Sequence, residues 1–221
     1  KAVYEGKQKR RATTAAKPVK EMNAFWAKHP LVLPATNTDR AQHFACATRI
    51  FHNGSLISGG RWYFGFTNLK SHKRLHMRID DEPVCEIDLN GSQPTLFSSL
   101  FGIRMNVGDT WTDVYASVVD RLDAGEERTL LRMMVKQVIV EMLGSGNSNR
   151  SGPASTEPPK KPDEPQLFFD TDYSKQMYLQ IQREAVQVFP ALEKLDTTYL
   201  NATGFLSYHE SEILTLTLLK L

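Results

Sequence analysis

The clearest hydrophobic pattern lies in residues 84–101, where a strand-like period gives way to a helical one. Residues 84–87 alternate around β-branched side chains, which predicts a short strand ending at Asp88, and a glycine and a proline then indicate a turn. From Gln93 onward, apolar residues recur at helical spacing, and we expect a helix that packs on the sheet through Leu96, Phe97, Leu100 and Phe101.

Asp88 is therefore predicted to be a carboxylate at the end of a strand and close to the start of a helix. An acid in that position, beside backbone carbonyls and a helix N-terminus, suits a divalent metal with phosphate bound to it. A side chain that only caps the turn or the helix is the alternative. This stretch alone leaves the two interpretations equally open.

Short β signals precede this strand between residues 55 and 83. The aromatic run RWYFGF and the segment His76–Ile79 read as strands, and residues 80–83 read as a turn into the strand before Asp88. The short links between them predict an antiparallel sheet.

A basic run lies between these predicted strands, near Trp62, Tyr63 and Phe66. Cations interleaved with aromatic rings are typical of a nucleic-acid groove, because the cations meet phosphates and the rings stack on bases. A solvated hairpin rim beside core aromatics explains the pattern equally well. The nucleic-acid hypothesis assigns the phosphate contacts to Lys70, Lys73 and Arg74.

A second informative stretch, residues 126–146, has the period of a long amphipathic helix. Its buried side is predicted to contain Leu131, Met134, Val135, Val138, Ile139 and Met142. Arg128, Arg132 and Lys136 follow one another at four-residue spacing and share the opposite face. Three cations one turn apart could hold a triphosphate, although surface charge on an ordinary helix is the commoner explanation.

The remaining patterns suggest two regions. Residues 1–50 are predicted to form a basic arm, either solvated or in contact with phosphates, followed by a helical N-terminal lobe. Residues 51–221 are predicted to form the main domain, with a flexible, Pro- and Ser-rich insertion at 145–165. Residues 201–221 are compatible with a strand or a helix.

Composition adds few constraints. The 221 residues, 41% hydrophobic and 24% charged, suffice for one large domain or a domain with a lobe, and a net charge of +2 does not by itself indicate a polyanionic partner. Cys46 and Cys85 are far apart, which predicts no zinc site or disulfide, and we expect Cys85 to be buried. With no secretory leader or membrane-length apolar run in the sequence, we expect a cytoplasmic protein with no membrane partner.

The order of these motifs resembles the palm and fingers of family A DNA polymerases and of the related single-subunit, phage-type RNA polymerases. The resemblance covers residues 59–144 and rests on the motifs GGRWY, TNL, EIDLNGSQP and the Arg132–Lys136 pair. It implies an α+β fold: an antiparallel palm-like sheet with helices packed on one face, and a helical fingers-like lobe.

The resemblance also implies roles for individual residues. Asp88 and the backbone carbonyl of Leu89 would bind Mg²⁺ or Mn²⁺, and Arg132 and Lys136 would hold the incoming triphosphate. Further substrate contacts are assigned to Gln93, Arg128, Arg61 and Asn68. Gln93 stands where the DNA enzymes usually have a glutamate, so the choice between ribose and deoxyribose stays open.

One part of the family pattern is not matched. The family has a second catalytic carboxylate in a His-Asp pair on a hairpin, whereas this chain has His209-Glu210. If these residues form a turn between strands, Glu210 could be the second catalytic and metal-binding acid. The spacing favours a helix instead. The centre would then belong to a truncated polymerase, to an inactive relative, or to a site completed by a partner chain.

We therefore expect a template-directed nucleotidyltransferase, a small polymerase that uses nucleoside triphosphates, a nucleic-acid template and primer, and two-metal phosphoryl transfer. We expect a role in replication, in a small mobile element or phage. The alternatives are a non-catalytic or incomplete palm-like accessory protein that binds nucleic acid, and a scaffold with neither activity.

Overall fold

The computed structural model describes residues 2–32, 46–52, 54–86, 88–108, 113–122, 125–159, 164–197 and 202–218. The chain divides into two compact units. Unit 1 contains residues 1–88 and 207–221, and unit 2 contains residues 89–206. The described elements are helices and small antiparallel sheets, so the predicted α+β class is confirmed.

Unit 1 combines a long helix with two small sheets. Its three-stranded antiparallel sheet has the order β1-β4-β5, and a separate antiparallel hairpin pairs β2 with β3. The elements are α1 (Ala2–Trp26), β1 (Leu31–Val32), β2 (Thr48–Phe51), β3 (Gly59–Tyr63), α2 (Ser71–Arg74), β4 (Arg78–Ile79) and β5 (Glu82–Pro83). A small core of Met22, Ala47 and Trp62 joins α1 to the hairpin.

The predicted strand before Asp88 is wrong for residues 84–86, and Ile87 lies outside the described residues. The strand occurs earlier, at Glu82–Pro83, because Asp80 and Asp81 both adopt positive φ angles, 50° and 64°, and form a two-residue turn that pairs Ile79 with Glu82. Cys85 follows this short strand and is exposed, so its predicted burial is also wrong.

The N-terminal region is helical over a longer range than predicted. Residues 2–20, predicted to be a basic arm, form one continuous helix with the apolar segment that follows, and the helix ends at Trp26. Lys17 and Lys20 have exposed side chains, in keeping with a solvated surface. Residues 33–45 of the predicted N-terminal lobe lie outside the described residues.

Unit 2 is helical. It contains α3 (Ser92–Leu100), α4 (Ala116–Val119), α5 (Arg128–Ser145), α6 (Asp172–Val188), a 3₁₀ helix (Pro190–Thr197) and the first residues of α7 (Ala202–Leu218). Residues 109–112 lie outside the described residues, and in the segment that follows them only Ala116–Val119 is helical. The core forms chiefly where α5 packs on α6, and all six residues predicted for the inner side of α5 are buried there.

The ends of α5 and α6 follow local capping rules. Glu127 precedes α5, and its side chain accepts a hydrogen bond from the Thr129 backbone N–H, while Gly146 ends the helix in the left-handed conformation. Thr171 caps α6 in the same way by accepting from the Ser174 N–H. These side chains satisfy backbone groups that the first turn of a helix leaves unpaired.

The predicted insertion at 145–165 contains no helix or strand beyond Ser145 in the residues described, and residues 160–163 lie outside them. Hydrogen bonds nevertheless connect it to α5 and α6. The Ala154 N–H donates to Glu141 Oε2 at 2.9 Å, and Arg150 Nε donates to the Tyr178 hydroxyl at 3.1 Å. That hydroxyl donates to Glu141 Oε2 at 3.0 Å. We call these four residues the Glu141 network.

The C-terminal segment is α7, which confirms the helical interpretation of its sequence. The alternative, in which His209 and Glu210 form a turn between two strands, is therefore wrong. The first five residues of α7 belong to unit 2 and the others to unit 1. Throughout the described residues, the helices are too short or too polar to cross a membrane.

Candidate functional site

Asp88, the proposed metal-binding acid, has an exposed side chain and forms no hydrogen bond or ion pair with the described residues. It does not cap the helix that follows it. The N-cap of α3 is Gly91, at φ 57°, and no side chain caps this helix. Leu89, whose carbonyl is the second proposed metal ligand, is also exposed. The carboxylate of Asp88 is thus accessible to a ligand.

A network of polar side chains in unit 2 is centred on Asp113. Arg132 Nε of α5 donates to Asp113 Oδ2 at 2.6 Å, and the Tyr115 backbone N–H donates to Asp113 Oδ1 at 3.2 Å. The Asn90 side chain donates a further hydrogen bond to the same carboxylate. The Arg132 guanidinium also lies over the Tyr115 ring, 5.5 Å from its centroid. We call these four residues the Asp113 network.

The Asp113 carboxylate is ionised at neutral pH. Burial on its own raises the pKa of Asp113, but the hydrogen bond and charge of Arg132 lower it, as do the hydrogen bonds from Asn90 and the Tyr115 N–H. Together these donors bring the pKa below its usual value of 3.8. The negative charge in turn fixes the orientation of the Arg132 guanidinium, because a paired and stacked arginine has few free rotamers.

The Asp113 network joins α5 to the turn that follows Asp88. Asn90 belongs to this turn, and the neighbouring Gly91 is buried against the same segment as Asp113. A Cβ atom on Gly91 would lie 2.1 Å from Val114 Cγ2, so no other residue fits there without a shift. The turn is thus held close to the segment that orients Arg132.

The three cations predicted on α5 have different environments. Arg128 Nη2 forms an ion pair with Asp120 Oδ1 at 2.7 Å, and Arg132 is bound to Asp113. Lys136 is exposed and forms no ion pair with any described residue. Of these three cations, Lys136 therefore presents an accessible ammonium group, and the fixed guanidinium of Arg132 lies one helical turn before it.

The other predicted site residues are dispersed. Gln93 is half-buried in the first turn of α3, and Asn68, Lys70 and Lys73 are exposed in unit 1. Arg74 is an anchoring residue there, since it forms an ion pair with Glu86 and donates to the Leu69 carbonyl at 2.6 Å.

Glu210, the candidate second carboxylate, lies within α7 and is half-buried. Arg61 Nη2 lies 3.5 Å from Glu210 Oε2, so these two predicted site residues are partners of each other. Within the described ranges, no three histidine, cysteine or acidic side chains come together as a metal site. Of the proposed metal ligands, the structure thus offers the accessible Asp88 carboxylate and the Leu89 carbonyl, and a divalent ion there would need further oxygen ligands from outside these residues.

The aromatic residues near the basic run pack mainly on one another. Trp62 is buried, its ring stacks on Phe64 with centroids 6.0 Å apart, and Phe64 stacks on Phe66 at 4.9 Å. Trp26 of α1 meets both phenylalanines edge-on. These contacts favour the core interpretation for Trp62, while Phe66 stays half-exposed.

Two important clusters were missed by sequence reasoning. One is the Asp113 network. The other surrounds Arg49, whose side chain is 3% exposed and lies between the rings of Phe51 and Trp62. Arg49 donates to Glu212 Oε1 of α7 at 2.8 Å, and Trp62 Nε1 donates to Thr215 Oγ1 at 2.8 Å. The partners are far apart in sequence, so no local pattern indicates either cluster.

Comparisons of the chain with protein-family models, with curated proteins and with solved structures found no match. The resemblance to family A polymerases therefore rests on the residues of this chain.

Proposed function

We propose that this protein is a template-directed nucleotidyltransferase with a palm-like domain, acting in the cytoplasm on nucleoside triphosphates and a primed nucleic-acid template. The observation that carries the proposal is the cation pair on α5. Arg132 is oriented by the Asp113 network, and Lys136, one turn later, is exposed and has no acidic partner among the described residues. A fixed cation beside an accessible one suits the charge of a triphosphate.

The proposal gives each group one task. Arg132 and Lys136 bind the phosphates and stabilise the negative charge of the departing pyrophosphate. Asp88 and the Leu89 carbonyl hold Mg²⁺ or Mn²⁺, an ion that neutralises phosphate charge when bound. Gln93 contacts the sugar, while Lys70 and Lys73 contact the phosphate backbone of template or primer. Arg74 contributes by holding this basic run in place.

The second catalytic carboxylate is assigned to a partner chain. Glu210 of α7 is already paired with Arg61 of β3, so it would have to give up this ion pair to bind a metal. In the polymerase family, the second catalytic acid lies on a hairpin. If another chain supplies that acid here, Asp88 can be an accessible metal ligand although no such hairpin is present among the described residues.

Incorporation of a labelled nucleotide on primed DNA and RNA, with Mg²⁺ or Mn²⁺, tests the proposal. If the purified chain incorporates nucleotide, Asp88→Asn and Lys136→Ala should each lower the rate by about 100-fold or more, because each removes a charge that acts on the reacting phosphates. Asp170→Asn and Lys175→Ala are matched controls at exposed positions of unit 2 and should keep the wild-type rate. Loss of activity in the controls, or full activity in Asp88→Asn, would refute the assignment.

A non-catalytic accessory protein that binds nucleic acid is the second candidate, and the Arg61–Glu210 ion pair favours it, since that pair uses the only acid that the sequence offered as a second metal ligand. It predicts salt-sensitive binding of DNA or RNA that is unchanged in Asp88→Asn and weaker in Lys70→Ala, with no incorporation under any condition. A scaffold with neither activity predicts no salt-sensitive affinity.

A further inference from the structure

An apolar groove lies in unit 2 between the N-terminal turns of α5 and α6. Its volume is about 310 Å³, at the lower end of the range for small-molecule sites. Its floor and walls are formed by apolar side chains from both helices and from the segment before α6: Leu130, Met134, Leu167, Phe169 and Met177.

The uncharged polar groups along this groove are already engaged by local hydrogen bonds. Thr171 Oγ1 accepts from the Ser174 N–H at 3.1 Å, and Ser174 Oγ accepts from the Phe169 N–H at 2.8 Å. Gln166 Nε2 donates to the Thr156 carbonyl at 2.6 Å. A ligand therefore meets walls that favour apolar surface over hydrogen-bonding groups.

The mouth of the groove combines negative charge with exposed aromatic rings. Glu126 is the one charged side chain among the described lining residues, and the Tyr173 hydroxyl donates to its Oε1 at 3.1 Å. The Tyr173 and Phe169 side chains are unusually open for aromatic residues, 62% and 51% exposed. A carboxylate in a groove that also has two exposed aromatic residues is complementary to a cation attached to a flat apolar group.

This groove is separate from the cations of α5. Leu130 lies two residues before Arg132, and Met134 lies two residues before Lys136. Two residues correspond to more than half a helical turn, so the side chains of each pair point to opposite sides of α5. The groove and the cationic row thus occupy opposite sides of the helix. A ligand in the groove does not use the proposed phosphate-binding groups, and its charge preference is the reverse of theirs.

We propose that the groove is a binding site for a small aromatic amine, with the ring system between Met134, Met177 and Phe169 and the ammonium group at Glu126. The apolar walls provide the affinity through burial of the rings. The Glu126 carboxylate provides the preference for a positive charge. This site is independent of the proposed nucleotidyltransferase activity.

Three indole compounds of similar shape and different charge test the proposal: tryptamine (positive), indole (neutral) and indole-3-acetate (negative). Binding to the full chain is measured by calorimetry and by ligand-observed NMR. Tryptamine should bind about two- to fivefold more tightly than indole, as expected for a partly exposed ion pair, and indole-3-acetate should bind most weakly. Glu126→Gln should remove this order, and the exposed control Glu193→Gln should preserve it.

Phe169→Ala is a second variant, and the exposed position of this ring means that its removal leaves the core intact. It should lower the affinity for tryptamine by at least about twofold, because a ring contact with the ligand is lost. Absence of saturable tryptamine binding, equal affinity for tryptamine and indole-3-acetate, a charge preference that persists in Glu126→Gln, or undiminished binding in Phe169→Ala would each overturn the proposal.

Discussion

The Glu141–Tyr178 hydrogen bond is the interaction through which we expect α5, α6 and the 147–157 segment to stabilise one another. The Glu141 side chain is 12% exposed, and Tyr178 is fully buried at 0%. The perturbation is a double-mutant cycle made of Glu141→Gln, Tyr178→Phe and the double variant, because the cycle isolates the energy of this pair from the other contacts of each residue.

The expected magnitudes follow from the contacts. A hydrogen bond to a charged acceptor contributes about 1.5–3 kcal/mol, and a buried polar group that loses its partner costs a similar amount. Glu141→Gln weakens the acceptor for the Tyr178 hydroxyl and the Ala154 N–H, while Tyr178→Phe also removes the acceptor used by Arg150. We expect each single change to cost about 1–3 kcal/mol, with a coupling energy of about 1 kcal/mol.

Urea unfolding measures these free energies. Hydrogen exchange of the α6 amides shows whether the loss of stability is located in unit 2. The exposed Tyr173–Glu126 hydrogen bond is a matched control with the same chemistry, and its cycle should give no resolvable coupling energy. A coupling energy for Glu141–Tyr178 no larger than that of the exposed pair would refute the reasoning.

The same variants have a distinct alkaline signature. Burial raises the pKa of Tyr178 above its usual 10.0, and so do the charge and hydrogen bond of Glu141, against a smaller opposite effect of Arg150. Above pH 10.0 the unfolded tyrosine loses its proton while the folded one retains it, so the unfolding free energy falls as pH rises. The fall should be shallower in Tyr178→Phe than in the wild type.

Three further predictions concern stability. Because the pKa of Asp113 is lowered in the folded state, its carboxylate stabilises the fold above pH 3.8, and this stabilisation declines as pH falls below that value. Acid unfolding followed by circular dichroism should therefore show a weaker pH dependence in Asp113→Asn than in the wild type. Equal slopes would contradict this prediction. Gly91→Ala should lower the free energy of unfolding in urea by about 2–4 kcal/mol, because the new Cβ atom would clash with Val114 and because residue 91 has a positive φ. An unchanged free energy of unfolding would show that the turn relaxes freely. Ile139→Ala should lower the free energy of unfolding by about 2–5 kcal/mol, and Val140→Ala, at an exposed position, by less than about 0.5 kcal/mol. Similar losses for the two variants would mean that α5 turns a different face toward the core.

The helices of unit 2 could be predicted from the sequence because their signals are local. The inner side of α5 follows directly from a 3.6-residue period sustained over five turns. The α+β class and the antiparallel pairing were predictable for the same reason.

The strands and the site were less accessible to such reasoning. Four alternating residues before Asp88 cannot specify where pairing begins, and the two-residue turn at Asp80-Asp81 placed the strand at Glu82–Pro83. Asp113 and Arg132 are 19 residues apart, and Arg49 and Glu212 are 163 apart. Local sequence patterns do not identify such partners, because these residues come together only when the helices and strands pack.

Unit 1 is assembled from two distant parts of the polypeptide, and this separation bears on how it folds. Arg49 and Trp62 are synthesised before their partners Glu212 and Thr215, which follow 163 and 153 residues later along the chain. Until then, Arg49 Nη2 and the Trp62 indole N–H lack these partners, although Arg49 Nε can already donate to the Gly60 carbonyl within the hairpin. The hairpin therefore gains these contacts only once the C-terminal helix is present, and we expect the closure of so long a loop to be a slow, non-local step of folding.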